Sequence, residues 1–239
     1  MREALTSDRH TADGWLHFSP PLFKLVLLTS MLLAVAGPSA GHPSRQGPTS
    51  AEIREAEQRL SNLGYWTGPI DGSFDESSRH ALIAFQKIEG RKRTGKLTAG
   101  ELEALRLAER PMPVDSTYPH IEVDLKRQVL MVIDASGQAT HIVPVCSGNE
   151  GTYWDHGQRH RAHTPRGTFK VVRKISGWRR SSLGLLYYPN YIVNGIAIHG
   201  SPSVPALPAS HGCIRIPMFA AKELSEMTPV GTIVVIADR

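Results

Sequence analysis

Apolar positions recur at helical spacing in the first half of this chain and at strand spacing in the second. Ile53, Ala56, Leu60 and Leu63 lie three and four apart, Thr49 and Glu52 stand in capping-box spacing ahead of them, and Gly64 stops the helix. Asp75 can cap a second helix whose Ala81, Leu82, Phe85 and Ile88 form an apolar stripe. Thr98 and Glu101 repeat the capping spacing before Leu102 and Leu105, which predicts three short helices ending near Ala108. Between the first two, residues 64–74 are turn-rich with embedded aromatics. Gly64 and Gly72 can take positive φ there, between helices too short to be stable alone.

Arg110-Pro111-Met112-Pro113-Val114 is a Pro-rich joint, and beyond it the period changes to two. Ile121, Val123 and Leu125 alternate. Val129-Leu130-Met131-Val132-Ile133 is continuously apolar, Asp134-Ala135-Ser136-Gly137 reads as a hairpin turn, and residues 142–145 return as a strand. Further strands are predicted at 167–172, 191–193, 196–198 and 233–236, with one helix at 217–227. The pattern predicts an α+β chain: a small three-helix module, then a β-rich, mainly antiparallel, sandwich-like domain of about 120 residues.

The N-terminal region reads differently. Lys24 precedes an uncharged apolar run at 25–36, shorter than the roughly 20 residues that span a bilayer, and Ala34-Val35-Ala36 offers small residues for cleavage after Ala36. This is the pattern of an export signal, leaving no integral membrane span once it is cut. The stretch before Lys24 is longer than usual, so an uncleaved anchor stays open. No cysteine follows the run, which excludes a lipoprotein anchor. The expected organisation is a signal at 1–36, a turn-rich linker at 37–49, the helical module at 50–108, a second linker at 109–117 and the β-rich domain at 118–239. The two linkers suggest a module that tethers the larger domain.

The net charge of +5 favours anionic surroundings without selecting one. No basic run interleaved with aromatics argues for a nucleic-acid groove, and Gly90-Arg91-Lys92-Arg93 reads as a solvated turn. Only two cysteines occur, Cys146 and Cys213, and an exported protein could bridge them.

The surroundings of Cys213 suggest other chemistry. Ile196-Ala197-Ile198-His199-Gly200 leads through a Pro- and Ser-rich loop into Ser210-His211-Gly212-Cys213-Ile214-Arg215. A thiol attacks as its thiolate and needs cationic or proton-accepting neighbours. On an extended segment His211, Cys213 and Arg215 would share a face, and Gly212 leaves space for a carbonyl to approach the Cys213 amide. Either His199 or His211 can serve as base. Zinc is the competitor, since His199, His211 and Cys213 could each ligate it, although no Cys pair at short spacing and no His-Glu-x-x-His occurs. His156, His160 and His163 read as solvated loop residues.

Two resemblances follow from these motifs. Residues 52–106 resemble the small three-helix peptidoglycan-binding module, through Gln58-Arg59-Leu60, Leu63-Gly64-Tyr65, Gly68-Pro69-Ile70-Asp71-Gly72-Ser73-Phe74, Ala84-Phe85-Gln86 and Thr94-Gly95-Lys96-Leu97-Thr98. Exposed Tyr65, Trp66 or Asp71 would make any ligand contact there. Residues 118–237 resemble the L,D-transpeptidase catalytic family, through His199-Gly200, Ser210-His211-Gly212-Cys213-Ile214-Arg215 and Thr164-Pro165-Arg166-Gly167-Thr168-Phe169. Cys146 departs from that pattern, where small hydroxyl residues are commoner, and if it lies near Cys213 their oxidation could switch the enzyme off.

The second resemblance implies an enzyme without metal or cofactor that acts on peptidoglycan tetrapeptide stems as donor and acceptor. Cys213 would be the nucleophile and His199 the base, oriented by the Gly200 carbonyl. His211, Gly212 and Cys213 would shape the oxyanion site, and Ser210 and Arg215 would support the loop and substrate carboxylates. The alternatives are an L,D-carboxypeptidase with the same site, or a non-catalytic wall-binding protein with a Cys146–Cys213 disulfide.

Overall fold

The computed structural model describes residues 47–239. The apolar run at 25–36, its cleavage site and the linker up to residue 46 lie outside the described residues. Three helices come first: α1 (Ser50–Asn62), α2 (Glu76–Ile88) and α3 (Ala99–Leu107). Thr49 and Glu52 close a reciprocal capping box on α1, and Asp75 caps α2 through the Ser78 amide. Thr98 caps α3 as expected, but the Glu101 carboxylate turns to Arg91 at 3.0 Å instead of back to the cap.

Strands β1 (His120–Asp124), β2 (Val129–Ile133) and β3 (Ala139–Pro144) form a meander. A small hairpin follows, β4 (Thr152–Asp155) and β5 (Gln158–Arg161), then β6 (Gly167–Lys170), β7 (Arg173–Lys174), β8 (Trp178–Ser181), β9 (Gly184–Val193) and β10 (Ile196–Ser201). The chain ends with β11 (Ile214–Pro217), α4 (Met218–Met227) and β12 (Ile233–Ala237). One sheet has the order β3-β2-β1-β12-β6, and the other runs β11-β10-β9-β7 with β8 paired to β9. Pairing is antiparallel except for β1 with β12 and β10 with β11.

The two sheets face each other across a core that includes Ile121, Val123, Leu130 and Val234 from one and Ile192, Ile198, Ile214 and Ile216 from the other, with Leu224 of α4. The continuous apolar run of β2 has a reason. Leu130 and Val132 point into this core, whereas Val129, Met131 and Ile133 pack on the other face with Leu60, Leu82, Phe85 and Leu105 of the helical module. The module is therefore the second cover of the sheet and not a loosely tethered body.

Polar contacts fix the same interface. The Ile142 amide donates to the Gly64 carbonyl and the Trp66 amide to the Ile142 carbonyl, adding residues 64–66 to the sheet edge. Gly64, at φ +92, is required there because a Cβ would lie 2.4 Å from the Ala139 carbonyl oxygen. This docking buries Tyr65 against Phe85, ring to edge, which corrects the expectation of an exposed ligand-binding tyrosine. Trp66 is half-buried against His141, and Asp71 alone of the three is exposed.

Lys87 of α2 is fully buried, its Nζ donating at 2.9 Å to the carbonyls of Gln128 and Val145. Burial pushes its pKa down to about 7. Arg93, expected in a solvated turn, donates instead to the Ala206 carbonyl in the loop between β10 and β11. The Pro-rich joint is also held: Val114 and Asp115 amides donate to Glu122, and Arg110 reaches the carbonyls of Ala139 and Asn62.

Candidate active site

Strand β10 carries His199 and strand β11 begins just after Cys213, and their parallel pairing sets His199 beside Arg215. The segment before β11 is not extended. Ser210 to Cys213 forms a tight bend in which the Ser210 hydroxyl accepts from the Gly212 amide at 3.0 Å and donates to the Cys213 carbonyl at 2.6 Å. Gly212 sits at φ +136, and a Cβ would meet Ile196 Cδ1 at 2.8 Å and the His163 carbonyl oxygen at 2.9 Å. The expected alternation of His211, Cys213 and Arg215 along a strand fails for this reason, yet all three line one cavity.

That bend is anchored by the second motif. Thr164 donates to the Gly212 carbonyl and accepts from the Gly148 amide. Gly200 has a packing role: a Cβ there would stand 2.7 Å from that of Ala221 on α4, so the strand carrying His199 lies close against the helix.

His199 is buried, and its Nδ1 is 2.9 Å from the Gly200 carbonyl oxygen. A carbonyl can only accept, so Nδ1 carries the proton and Nε2 keeps its lone pair. Burial, aided by the nearby Arg215 charge, pushes the imidazole pKa down to about 4 against the opposing pull of the Gly200 bond. The half-buried Cys213 thiol is displaced upward by burial, although the Ala197 amide and Arg215 draw it back. At neutral pH the pair therefore rests as thiol and free imidazole, so any attack by the sulfur would require loss of its proton. His211 is exposed and packs on Tyr153, with ring centroids 4.6 Å apart.

The cavity encloses about 640 Å³. Its walls include Tyr153 and Asp155 from the β4–β5 hairpin and Trp178, Arg179 and Leu186 from the β8–β9 hairpin, none of which the chain's periodicity announced. Ser182 donates to Asp155 at 3.0 Å and ties the two hairpins together. The first has a local signal only in its turn. His156 and Gly157, both at positive φ, make a two-residue turn between β4 and β5. Strand β9, read as 191–193, extends back to Gly184 across Pro189 with a register shift and Tyr188 at φ +47.

Cys146 is fully buried, pairs through its backbone with Arg215, and directs its thiol at the Leu207 carbonyl, 3.5 Å away. Both cysteines are free. Among the described residues no group of three or more His, Cys, Asp or Glu side chains could hold a metal ion. His156 and His160 are exposed, and His163 bonds to Glu150 at 2.9 Å within a cluster with Arg161 and Arg166.

Comparisons with known proteins agree with this geometry. Residues 118–236 match the L,D-transpeptidase catalytic domain family, and residues 49–105 match a peptidoglycan binding domain. The crystal structure of an L,D-transpeptidase from Xylanimonas cellulosilytica is 34% identical with a TM-score of 0.73, covering 84% of this chain and 100% of that one. An L,D-transpeptidase structure from Stackebrandtia nassauensis is 21% identical, with a TM-score of 0.48, covering 82% and 96%. No curated protein matches the chain. The chain belongs to the L,D-transpeptidase family and is an enzyme with a peptidoglycan-binding module at its N-terminal side.

Proposed function

We propose that this enzyme is exported and forms 3→3 cross-links between peptidoglycan stems through a Cys213 thioester. The observation that carries the proposal is a free thiol sharing one cavity with a histidine whose Nδ1 is pinned to the Gly200 carbonyl. In the first step the Cys213 proton passes to His199 Nε2 as sulfur attacks the carbonyl at the L-centre of diaminopimelate in a donor tetrapeptide. The oxyanion is held at the backbone amide of Cys213, in the bend kept open by Gly212 and flanked by His211. When the C–N bond breaks, His199 returns the proton to the departing D-alanine amine.

The second step reverses the traffic. The side-chain amine of another stem loses a proton to His199 and attacks the thioester carbonyl, and the thiol leaves with that proton. Ser210 holds the bend, while Arg215 supplies positive charge beside the sulfur and the substrate carboxylates. The apolar run at 25–36 supports export to the periplasm, wall or exterior, and the helical module supports residence on peptidoglycan. Among the described residues no helix is long and apolar enough to cross a membrane.

Incubation with disaccharide-tetrapeptides, followed by mass analysis, is expected to yield 3→3 dimers and free D-alanine, both lost after alkylation of Cys213. Tripeptide monomers alone would reassign the enzyme to L,D-carboxypeptidase activity. Full turnover by Cys213→Ala would overturn the mechanism.

A further inference from the structure

Strand β8 is exposed along its whole length and brings two consecutive arginines, Arg179 and Arg180, to the rim of the site. Their register separates them. Arg179 stands opposite Leu186 of β9, and Arg180 opposite Leu185. Cross-strand partners share a face, whereas neighbours along a strand do not. Leu186 is buried in the small cluster against which Cys213 packs, so Arg179 belongs to the Cys213 side of this hairpin. Arg179 lines the cavity and Arg180 does not.

The charge balance of the cavity is uneven. Arg179 and Arg215 both line it, and neither side chain has an ion-pair partner among the described residues. The one acidic lining residue, Asp155, accepts a hydrogen bond from Ser182. Arg215 lies at the reacting sulfur, where it acts on both Cys213 and His199. Arg179 perturbs neither group, which leaves its guanidinium to serve the substrate. An unpaired guanidinium in a concave wall is the natural complement of a carboxylate, which can take two parallel N–H bonds from its fork.

We infer that Arg179 is a specificity-determining residue that binds a carboxylate of the donor stem, one retained on the enzyme after D-alanine has left. The inference rests on the L,D-transpeptidase reading above. A tetrapeptide stem retains two such groups: the free α-carboxyl of its γ-linked glutamyl residue and the carboxyl at the D-centre of diaminopimelate. Amidation of the relevant group removes its charge and leaves one acceptor oxygen where there were two. The enzyme therefore prefers stems in which that carboxyl is unmodified.

The test uses the protein with residues 47–239 intact and four synthetic tetrapeptides: both carboxyls free, either one amidated, or both amidated. Initial rates of D-alanine release give kcat/KM for each. One of the two single amides is expected to lower kcat/KM by about tenfold or more, mainly through KM, as befits loss of a hydrogen bond to a charged group. The sensitive amide identifies the carboxylate. Arg179→Gln is expected to bring the free and amidated stems together, Arg179→Lys to restore part of the difference, and Arg180→Gln to preserve it in full. Equal wild-type rates on all four stems, or an Arg179→Gln loss of the same size on each, would overturn the carboxylate subsite while leaving the L,D-transpeptidase reading intact. Absence of D-alanine release from every stem would overturn both.

Discussion

The Thr164 hydroxyl donates a 2.7 Å hydrogen bond to the Gly212 carbonyl and accepts one of 2.9 Å from the Gly148 amide. One buried side chain thus joins the loop after β3, the loop before β6 and the bend that carries Cys213. Two motifs whose bonded residues lie 48 apart in the chain are a single structural object, because the first holds the backbone of the second.

Replacing Thr164 with Val keeps the shape and removes both bonds, leaving a buried amide and a buried carbonyl without this partner. The expected cost is about 1–3 kcal/mol for each group left unsatisfied. Urea unfolding should show a lowered midpoint at unchanged slope, and D-alanine release should slow as the bend loses its anchor. An unchanged midpoint would mean that the two backbone groups find other partners.

Gly212→Ala acts on the same bend from inside. Its added methyl faces Ile196 and the backbone of His163 at under 3 Å, at a φ that side chains rarely adopt. Strain of this kind costs about 1–3 kcal/mol before any clash is counted. The variant should fold with reduced thermal stability and show almost no turnover. Alkylation of Cys213, followed by mass spectrometry, should persist at an altered rate. That combination separates a displaced Cys213 from an unfolded chain.

Much of this was legible in the sequence. Helix N-caps, apolar spacing and the His-Gly and Ser-His-Gly-Cys motifs are local, so the chain displays them directly. The hairpins that wall the cavity were not legible, because β5 and β8 are exposed at every residue and lack the alternation of a half-buried strand. The burial of Tyr65 and Lys87 was illegible for another reason. Each is set by contact with β2 and β3 or the loops beside them, and no window around either residue contains that information. The bend at Ser210 to Cys213 lay between, since Gly212 permitted it without specifying it.

The resting state of His199 and Cys213 makes a pH prediction. The folded imidazole pKa is about 4 and the unfolded value about 6.5. Between those values the unfolded chain binds more protons, so stability rises with pH there. His199's contribution is present above about pH 6.5, is lost as pH falls to about 4, and is of order 3 kcal/mol. The acid limb of D-alanine release should accordingly lie near pH 4. Arg215 holds both groups down, so Arg215→Gln should raise the His199 and Cys213 values together. An NMR titration of the imidazole, with a pH profile of Cys213 alkylation, would read the two shifts separately. Movement in opposite directions would exclude Arg215 as their common cause.

The helical module should not be removable. Its Leu60, Leu82, Phe85 and Leu105 cover Val129, Met131, Ile133 and Ile142, and Lys87 satisfies the carbonyls of Gln128 and Val145. A fragment starting at residue 109 would expose that sheet face to water, at about 25 cal/mol for each Å² of apolar surface uncovered. It should precipitate or bind a hydrophobic dye rather than work as a smaller soluble enzyme. Lys87→Ala tests the same interface within the intact chain: it empties a buried site and takes the donor from the Val145 carbonyl, while that of Gln128 keeps the Val145 amide, and should cost about 3 kcal/mol or more. Val145 precedes Cys146, whose backbone pairs with Arg215, so loosening this contact should also reduce turnover. A stable, fully active fragment from residue 109 onward would restore the tether picture and leave the docked module without a role in catalysis.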